Sequence, residues 1–584
     1  MLNVMGVKLA KNAGFCMGVR RAMDIVLDIA RHMGGAKVYT YGPLIHNPQT
    51  MGLLKKRGIV ALDDIDDITT GTVIIRAHGI SPQERARIAA KGIKIIDATC
   101  PKVANVQAII KKHAKMEYAI LIVGDREHPE VKGLVGYAQG KGTAIGSKED
   151  ASYLPDLGKV CVVAQTTQNK EEYNEISSAI LNRFPDALIF DTICESTESR
   201  QTEVKEMAVT MDALVIVGGK NSANTRRLAE ISKRQGTPTF HIETVDDLKN
   251  SDFSFYDRIG ISAGASTPNW IIEKVFENLS AFQRQKRGIW LQRFLNLWAF
   301  SVRNGIYFSV GAVSLLCTAT LLQGFDLDVV NIIIVAFYVF SMHRLNRTTD
   351  RKMREMEDSF SGEMHQKMHQ SAYVTVAIFA MATALILAYW KGTFAFLLLF
   401  VVSAGGMLYS VKIIPQNRRI ERIKDLPGSK NLLTALGLAA VTALIPQLER
   451  SLTLSSGMIL AFLFNFSLVF VQSTMSDMVH TQSDRLIGRE TIPVLIGEEK
   501  TRYLLMGISV LIFLVMALAY PLGWAPALSF FLLAAIFYIW ICFYLYDKRS
   551  GLSGAVLEGL LQTSYIISGL SALFWFLVTA HVHK

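Results

Sequence analysis

From about residue 304 onward, long charge-free stretches alternate with short polar ones, and this alternation constrains the fold more than any other feature of the chain. Nine apolar segments can be bracketed, at about 305–323, 329–342, 372–390, 393–411, 432–448, 455–475, 503–520, 526–546 and 559–580. Most approach the roughly 20 residues a helix needs to cross a hydrocarbon core. The second, at about 14 residues, is expected to continue as a helix into a polar cavity. No charge occurs between Arg502 and Asp547, but the turn sequence PLGWAP divides that run into two helices. Residues 1–280 carry charges throughout, as a soluble α/β domain does. At 584 residues the chain is expected to hold at least two domains.

Basic residues set the expected topology. The chain holds 61 Lys and Arg against 50 acidic residues, and no aromatic-plus-basic motif for nucleic acid accompanies that excess. Alternate loops of the second half carry 18 Lys and Arg, whereas the opposite side carries Lys391, Arg450 and Lys584. The positive-inside bias places residues 1–281 in the cytoplasm and the C-terminus across a membrane, the bacterial cytoplasmic membrane by expectation. The basic stretch FQRQKRGIWLQRF (282–294) reads as part of an interfacial linker over 282–303, ahead of a polytopic domain at 304–584. The opening sequence MLNVMGVKLAKNAGF has neither the apolar core nor the cleavage site of a secretory signal.

In the first half, short apolar runs (VIIRAH, IKIID, YAILIVG, KVCVVAQ, ALIFD, ALVIVGG, RIGISAG) alternate with amphipathic helical segments. This βαβα rhythm predicts α/β layers with buried strands. Six cysteines are too few for a disulfide scaffold and point to a reducing compartment. Cys161, Cys317 and Cys542 sit in apolar runs as small hydrophobic filler, which leaves Cys16, Cys100 and Cys194, 84 and 94 residues apart in succession. Each is predicted at a strand-to-helix junction, where a helix N-terminus stabilises a thiolate. Three similar α/β units around a pseudo-threefold axis would bring those junctions to one point; three unrelated buried thiols is the competing reading.

Three thiolates suit a 4Fe–4S cluster with one iron left open, whereas structural zinc wants a fourth protein ligand. His46 (HNP), His78 (AHG) and His128 (EHPEVKG) each lie near a predicted strand end, followed by Thr166 and Thr167, GGKNSANT (218–225) and SAGAST (262–267). Singly, each is an ordinary loop residue. Together they offer imidazoles, hydroxyls and backbone amides of the kind that hold a diphosphate. Glu130, two residues beyond His128, is a carboxyl suited to proton delivery.

The motifs GFCMGVRRA, HNP, RAHGIS, DATCPKV, EHPEVKG, AQTT, DTIC, GGKNSANTRRLAE and SAGAST occur in order across residues 5–280 and resemble the reductase family also called LytB or IspH. The resemblance implies two-electron reduction of 4-hydroxy-3-methylbut-2-enyl diphosphate to isopentenyl and dimethylallyl diphosphate, the last step of the non-mevalonate isoprenoid pathway. It further implies a 4Fe–4S cluster on Cys16, Cys100 and Cys194, and diphosphate binding by His46, His78, His128, Ser222, Asn224 and Ser266. Glu130 would supply protons, with Thr166 positioning it. Ala223 stands where the family commonly carries a second Ser, a loss of about 1 kcal/mol of binding. No dinucleotide fingerprint is present, so an external donor such as ferredoxin or flavodoxin is expected. The alternative is an iron–sulfur sensor that binds isoprenoid diphosphate without turnover.

In the second half, LYSVKIIPQNRRIERIKDLPGSKNL (408–432) and DMVHTQSDRLIGRETIPVLIG (477–497) resemble a loop and the second Asp-rich motif of UbiA-type prenyltransferases. That resemblance implies magnesium held by carboxylates on a prenyl diphosphate while an aromatic acceptor attacks. Tyr409, Lys430, Asp477, Asp484 and Arg485 stand at matching positions, with Asn346 and Asp350 in the first motif. Two carboxylates of that first motif are replaced by Arg347 and Arg354, and His480 replaces a frequent Asp in the second. The domain is therefore a prenyltransferase, a diphosphate-binding module, or a membrane anchor.

Overall fold

The computed structural model describes residues 6–32, 37–68, 70–250, 252–285, 289–349, 370–409, 428–487, 491–547 and 554–582. The chain divides into two compact units, Met1–Arg287 and Gly288–Lys584. The stretch read as a linker, 282–303, contains the end of the helix Asn269–Gln285 and the whole of the helix Ile289–Arg303, one on each side of that division.

Twelve strands of the first unit form three four-stranded, wholly parallel sheets. In chain order they are β1 (Val7–Leu9), β2 (Val38–Tyr41), β3 (Ile59–Leu62), β4 (Thr72–Ile75), β5 (Lys94–Asp97), β6 (Ala119–Val123), β7 (Gly142–Ile145), β8 (Val160–Ala164), β9 (Leu188–Phe190), β10 (Ala213–Val217), β11 (Thr239–Ile242) and β12 (Ile259–Ala263). Written from corresponding edges, the sheets run β1-β12-β10-β11, β5-β4-β2-β3 and β9-β8-β6-β7. The first strand of the chain thus lies beside the last strand of the unit, and three equivalent layers result.

Parallel strands need crossover helices, and helices on both faces bury both sets of side chains. The third sheet shows this. Leu121, Val123, Val162 and Ala164 pack against Tyr173, Ile176 and Ile180, while the alternate residues Ile120, Ile122, Cys161 and Val163 pack against Val106, Ile110, Val131 and Leu134. Each fully buried Val, Leu or Ile contributes about 1.5–3 kcal/mol relative to exposure. Cys161 is fully buried there, as filler.

The second unit is helical. Among the described residues, seven of its helices are long and apolar enough to cross a membrane: Val329–Asn346, Val374–Lys391, Ser429–Leu448, Ser456–Val479, Glu498–Ala519, Leu528–Asp547 and Val556–Thr579 by their apolar windows. Ile306–Leu322 meets Arg293–Val302 at a 75° bend, and Thr393–Leu408 is a shorter apolar helix. The apolar segment at about 329–342 continues as helix to Thr349, as expected, bringing Asn346 into its last turns. Large apolar side chains such as Phe379, Val401, Leu511 and Leu577 are exposed, as lipid-facing positions are in the absence of lipid. Buried polar side chains pair between helices: Asn465 Nδ2 donates to Thr442 Oγ1 at 2.9 Å, and Tyr565 OH to Gln472 Oε1 at 2.8 Å.

Candidate active site

The parallel sheets place every reductase-type candidate just beyond a strand's carboxyl end, the usual location of ligand sites in α/β folds. Within each sheet the assignment repeats. The edge strands β1, β5 and β9 lead to Cys16, Cys100 and Cys194; their neighbours β12, β4 and β8 lead to Ser266, His78 and Thr166. The next strands, β10, β2 and β6, lead to Ser222 and Asn224, to His46, and to His128 and Glu130. One hydrogen bond ties each cysteine turn to its neighbour: Cys16 N donates to Ala265 O at 3.2 Å, Cys100 N to Ala77 O at 2.9 Å, and Cys194 N to Thr166 O at 2.9 Å.

All these side chains line one open cavity. Cys16 immediately precedes the helix Met17–His32, and Cys100 and Cys194 are the N-cap residues of Pro101–Lys115 and Glu195–Thr210. The thiols are free and half-buried. Val19 N donates to Cys16 Sγ at 3.4 Å. Burial raises the Cys100 thiol, an effect opposed by the amides of Lys102 and Val103. Gly18 is confined by the same wall, since a Cβ there would lie 2.6 Å from Cys100 Sγ. Three thiols at helix N-termini, facing a shared cavity with amide donors, fit a cluster held by three thiolates.

The imidazoles of His46, His78 and His128 form a compact group, with ring centroids 5.2 Å apart for His46–His78 and His78–His128 and 6.1 Å for His46–His128. Burial, reinforced by Arg76, lowers the His46 pKa, and burial drives that of His78 well down and that of His128 to about 3. All three are neutral near pH 7. His46 Nε2, His78 Nδ1 and both amide atoms of Asn224 are buried with no hydrogen-bond partner among the described residues. Such orphaned groups are costly unless a polar ligand takes them up. Ser222 caps the helix Ala223–Arg234, whose N-terminus and Ala223 also face the cavity.

Glu130 is 1% exposed. Its Oε1 accepts from Thr166 N at 2.7 Å and its Oε2 from Thr166 Oγ1 at 3.0 Å. Burial raises its pKa, partly offset by those two bonds and by Arg227. Thr166 thus meets both oxygens of the carboxyl.

Sequence reasoning missed two buried arginines. Arg200, 4% exposed, donates from Nη2 to Gly14 O at 2.7 Å and lines the cavity; its pKa falls with burial, opposed by Cys16 and Cys194. Arg227 donates from Nη1 to Thr167 O at 2.7 Å. Arg200 was detectable: Thr197, Arg200, Gln201, Val204, Met207 and Ala208 follow the spacing of a buried helix face, and a lone cation on such a stripe needs a partner.

Comparison with known proteins bears on these sites. The family profile described as "LytB protein" matches residues 7–280. The 4-hydroxy-3-methylbut-2-enyl diphosphate reductase of Geobacter sulfurreducens is 42% identical over 284 residues, which cover 49% of this chain and 100% of that protein. The chain belongs to the LytB family. A solved LytB-type neighbour, the E-1-hydroxy-2-methyl-but-2-enyl-4-diphosphate reductase from Plasmodium falciparum, is 30% identical with a TM-score of 0.45, covering 47% of this chain and 87% of that one. Beyond the LytB part, residues 297–557 match the profile described as "UbiA prenyltransferase family". A UbiA homologue from Archaeoglobus fulgidus, solved bound to GPP and Mg2+, is 16% identical with a TM-score of 0.36, covering 48% of this chain and 99% of that one.

In the second unit, the candidates split. Asp350 lies outside the described residues, and Asn346 is exposed. Tyr409 OH lies 3.4 Å from Ser429 Oγ. Lys430 Nζ donates to Asp477 Oδ1 at 2.7 Å, and Asn431 Nδ2 to Asp477 Oδ2 at 2.9 Å, so both oxygens of that carboxylate are engaged. Asp484 is 4% exposed, and burial together with the Asp477 charge pushes its carboxyl up to about 7. Arg485 follows it in the helix Thr481–Ile487. Among the described residues both oxygens of Asp477 are taken up by Lys430 and Asn431, whereas magnesium demands anionic oxygens in near-octahedral array, so these residues do not by themselves make a magnesium site.

Proposed function

We propose that the first unit, residues 1–281, reduces 4-hydroxy-3-methylbut-2-enyl diphosphate to isopentenyl and dimethylallyl diphosphate, the last step of the non-mevalonate pathway. The observation that carries this reading is the meeting of three thiols, three neutral imidazoles and a buried, doubly hydrogen-bonded carboxyl on one cavity. The thiolates of Cys16, Cys100 and Cys194 would hold a 4Fe–4S cluster, which supplies single electrons and Lewis acidity at an open iron. Loss of the allylic hydroxyl as water consumes two electrons and two protons, the electrons coming from a donor such as ferredoxin or flavodoxin.

The chain's own residues bind, orient and protonate. His46, His78, His128, Ser222, Asn224 and Ser266 take the diphosphate oxygens, which supplies partners for the orphaned imidazole and amide groups. Diphosphate binding fixes the hydroxyl-bearing carbon for reaction. Glu130, with its pKa raised, delivers a proton to the departing oxygen while Thr166 holds it in place. Anaerobically reconstituted full-length protein, given reduced viologen and substrate, is expected to release both products. Substrate binding with no turnover in cluster-loaded protein would leave the sensor reading in its place.

For the second unit we propose that residues 304–584 cross the bacterial cytoplasmic membrane nine times, with residues 1–281 in the cytoplasm, and transfer a prenyl group from its diphosphate to an aromatic acceptor. Support comes from the helical apolar segments, the basic bias of alternate loops and the polar group around Lys430 and Asp477. Incubation with a labelled prenyl diphosphate and a panel of aromatic acceptors tests this; label that never leaves the diphosphate reduces the unit to a binding module or anchor.

A further inference from the structure

The helices Ser429–Leu448 and Ser456–Val479 bring Lys430, Asn431, Thr474 and Asp477 together. Asn431 Nδ2 reaches both Asp477 Oδ2, at 2.9 Å, and Thr474 Oγ1, at 3.1 Å, while Lys430 Nζ reaches Asp477 Oδ1 at 2.7 Å. The two ends of the ion pair differ in access: the Asp477 side chain is 5% exposed and that of Lys430 51%. The carboxylate is sealed in the wall, and Lys430 is the more accessible end of the pair.

We propose that the second unit binds a prenyl diphosphate without a divalent cation, with Lys430 addressing the phosphate oxygens and Asp477 acting as its internal counter-ion instead of as a magnesium ligand. This rests on reading the unit as a prenyl-diphosphate-binding domain. A metal-bridged diphosphate site needs carboxylates in excess of cations, because the metal must be held before it can hold the phosphates. The described carboxylates are two: Asp477, neutralised by Lys430, and Asp484, 4% exposed; His480 occupies a frequent carboxylate position, and in the sequence Arg347 and Arg354 replace two carboxylates of the first motif. An ammonium with one carboxylate partner still has N–H groups free to meet phosphate oxygens, a charge-assisted interaction that needs no bridge. Asp477 is then a positioning residue: it fixes the direction in which Lys430 points.

The test uses the full-length chain in nanodiscs with a photoreactive geranyl diphosphate analogue, and cross-linked peptides are located by mass spectrometry, so that labelling of the reductase cavity is scored separately. Labelling of peptides within 428–487 is expected to be equal in excess EDTA and in millimolar Mg2+, and to be competed by unlabelled geranyl diphosphate. The substitution Lys430→Gln should weaken that labelling by about tenfold or more through loss of a charged partner, whereas Asp477→Asn, which releases Lys430, should leave it intact or strengthen it. Labelling that requires Mg2+ and disappears in Asp477→Asn returns Asp477 to a metal-ligand role and overturns the proposal. The EDTA comparison on the unaltered chain decides this even if a variant fails to fold. Competition by phosphatidylglycerol but not by geranyl diphosphate would show a lipid headgroup site and also overturn it. Absence of labelling in this region under both conditions removes the prenyl-diphosphate reading itself.

Discussion

At the scale of single residues, the reductase cavity depends on groups whose charge state differs from that in water. Glu130 is sequestered with both oxygens accepting from Thr166, and burial raises its pKa, which shifts the carboxyl toward its protonated form. The substitution Glu130→Gln should lower kcat by roughly 100-fold or more with iron and sulfide content unchanged, as checked by steady-state assay beside metal analysis. The imidazoles give a pH signature of opposite origin. His46, His78 and His128 have folded pKa values below those of the unfolded chain. As pH falls through about 6.5 the unfolded chain takes up protons that the folded protein refuses, so their contribution is full above that pH and is lost on acidification toward 3. Each such proton costs about 1.4 kcal/mol of stability per pH unit in that window. Thermal melts between pH 7 and pH 5 should fall steeply for the unaltered chain and less steeply for His78→Asn; parallel profiles would show that the imidazoles are not the groups responsible.

At the scale of elements, the helix N-termini do the organising. The helix that follows Cys16 places Gly18 against Cys100, which belongs to the start of a different helix 84 residues away in sequence. A methyl group at Gly18 would sit 2.6 Å from Cys100 Sγ, so one of the two turns must move. Gly18→Ala should therefore lose most of its iron and labile sulfide while retaining the far-ultraviolet circular dichroism of the parent. Full cluster content in that variant would mean that the two turns shift freely. The same scale explains what the sequence made legible. The strand-to-helix junctions read at Cys16, Cys100 and Cys194 are local signals, and each marks a helix start in the structure. Arg227 was not identified, because such a cation is recognised by what surrounds it, and its partner Thr167 lies 60 residues away in the chain.

At the scale of the whole molecule, one chain joins an α/β unit to an apolar helical unit, and the loop charges predict how the latter lies in the bilayer. Ser451 follows a candidate span on the side poor in Lys and Arg, whereas Asn278 belongs to the first unit. In intact bacterial cells an impermeant maleimide should label Ser451→Cys and label Asn278→Cys only after the membrane is opened; the reverse pattern would invert the topology. The alternation of charged and apolar stretches, the strand and helix rhythm and the three separated cysteines were all set by the sequence, because each is a matter of composition or short spacing. Sheet order was decided only in three dimensions: Cys16, Cys100 and Cys194 reach equivalent edge strands because β1 pairs with β12, a contact between segments some 250 residues apart. The pairing of Lys430 with Asp477 is of the same kind. Short-range patterns follow from the repeats of helix and strand, whereas partners brought together by packing leave no period in the sequence to read.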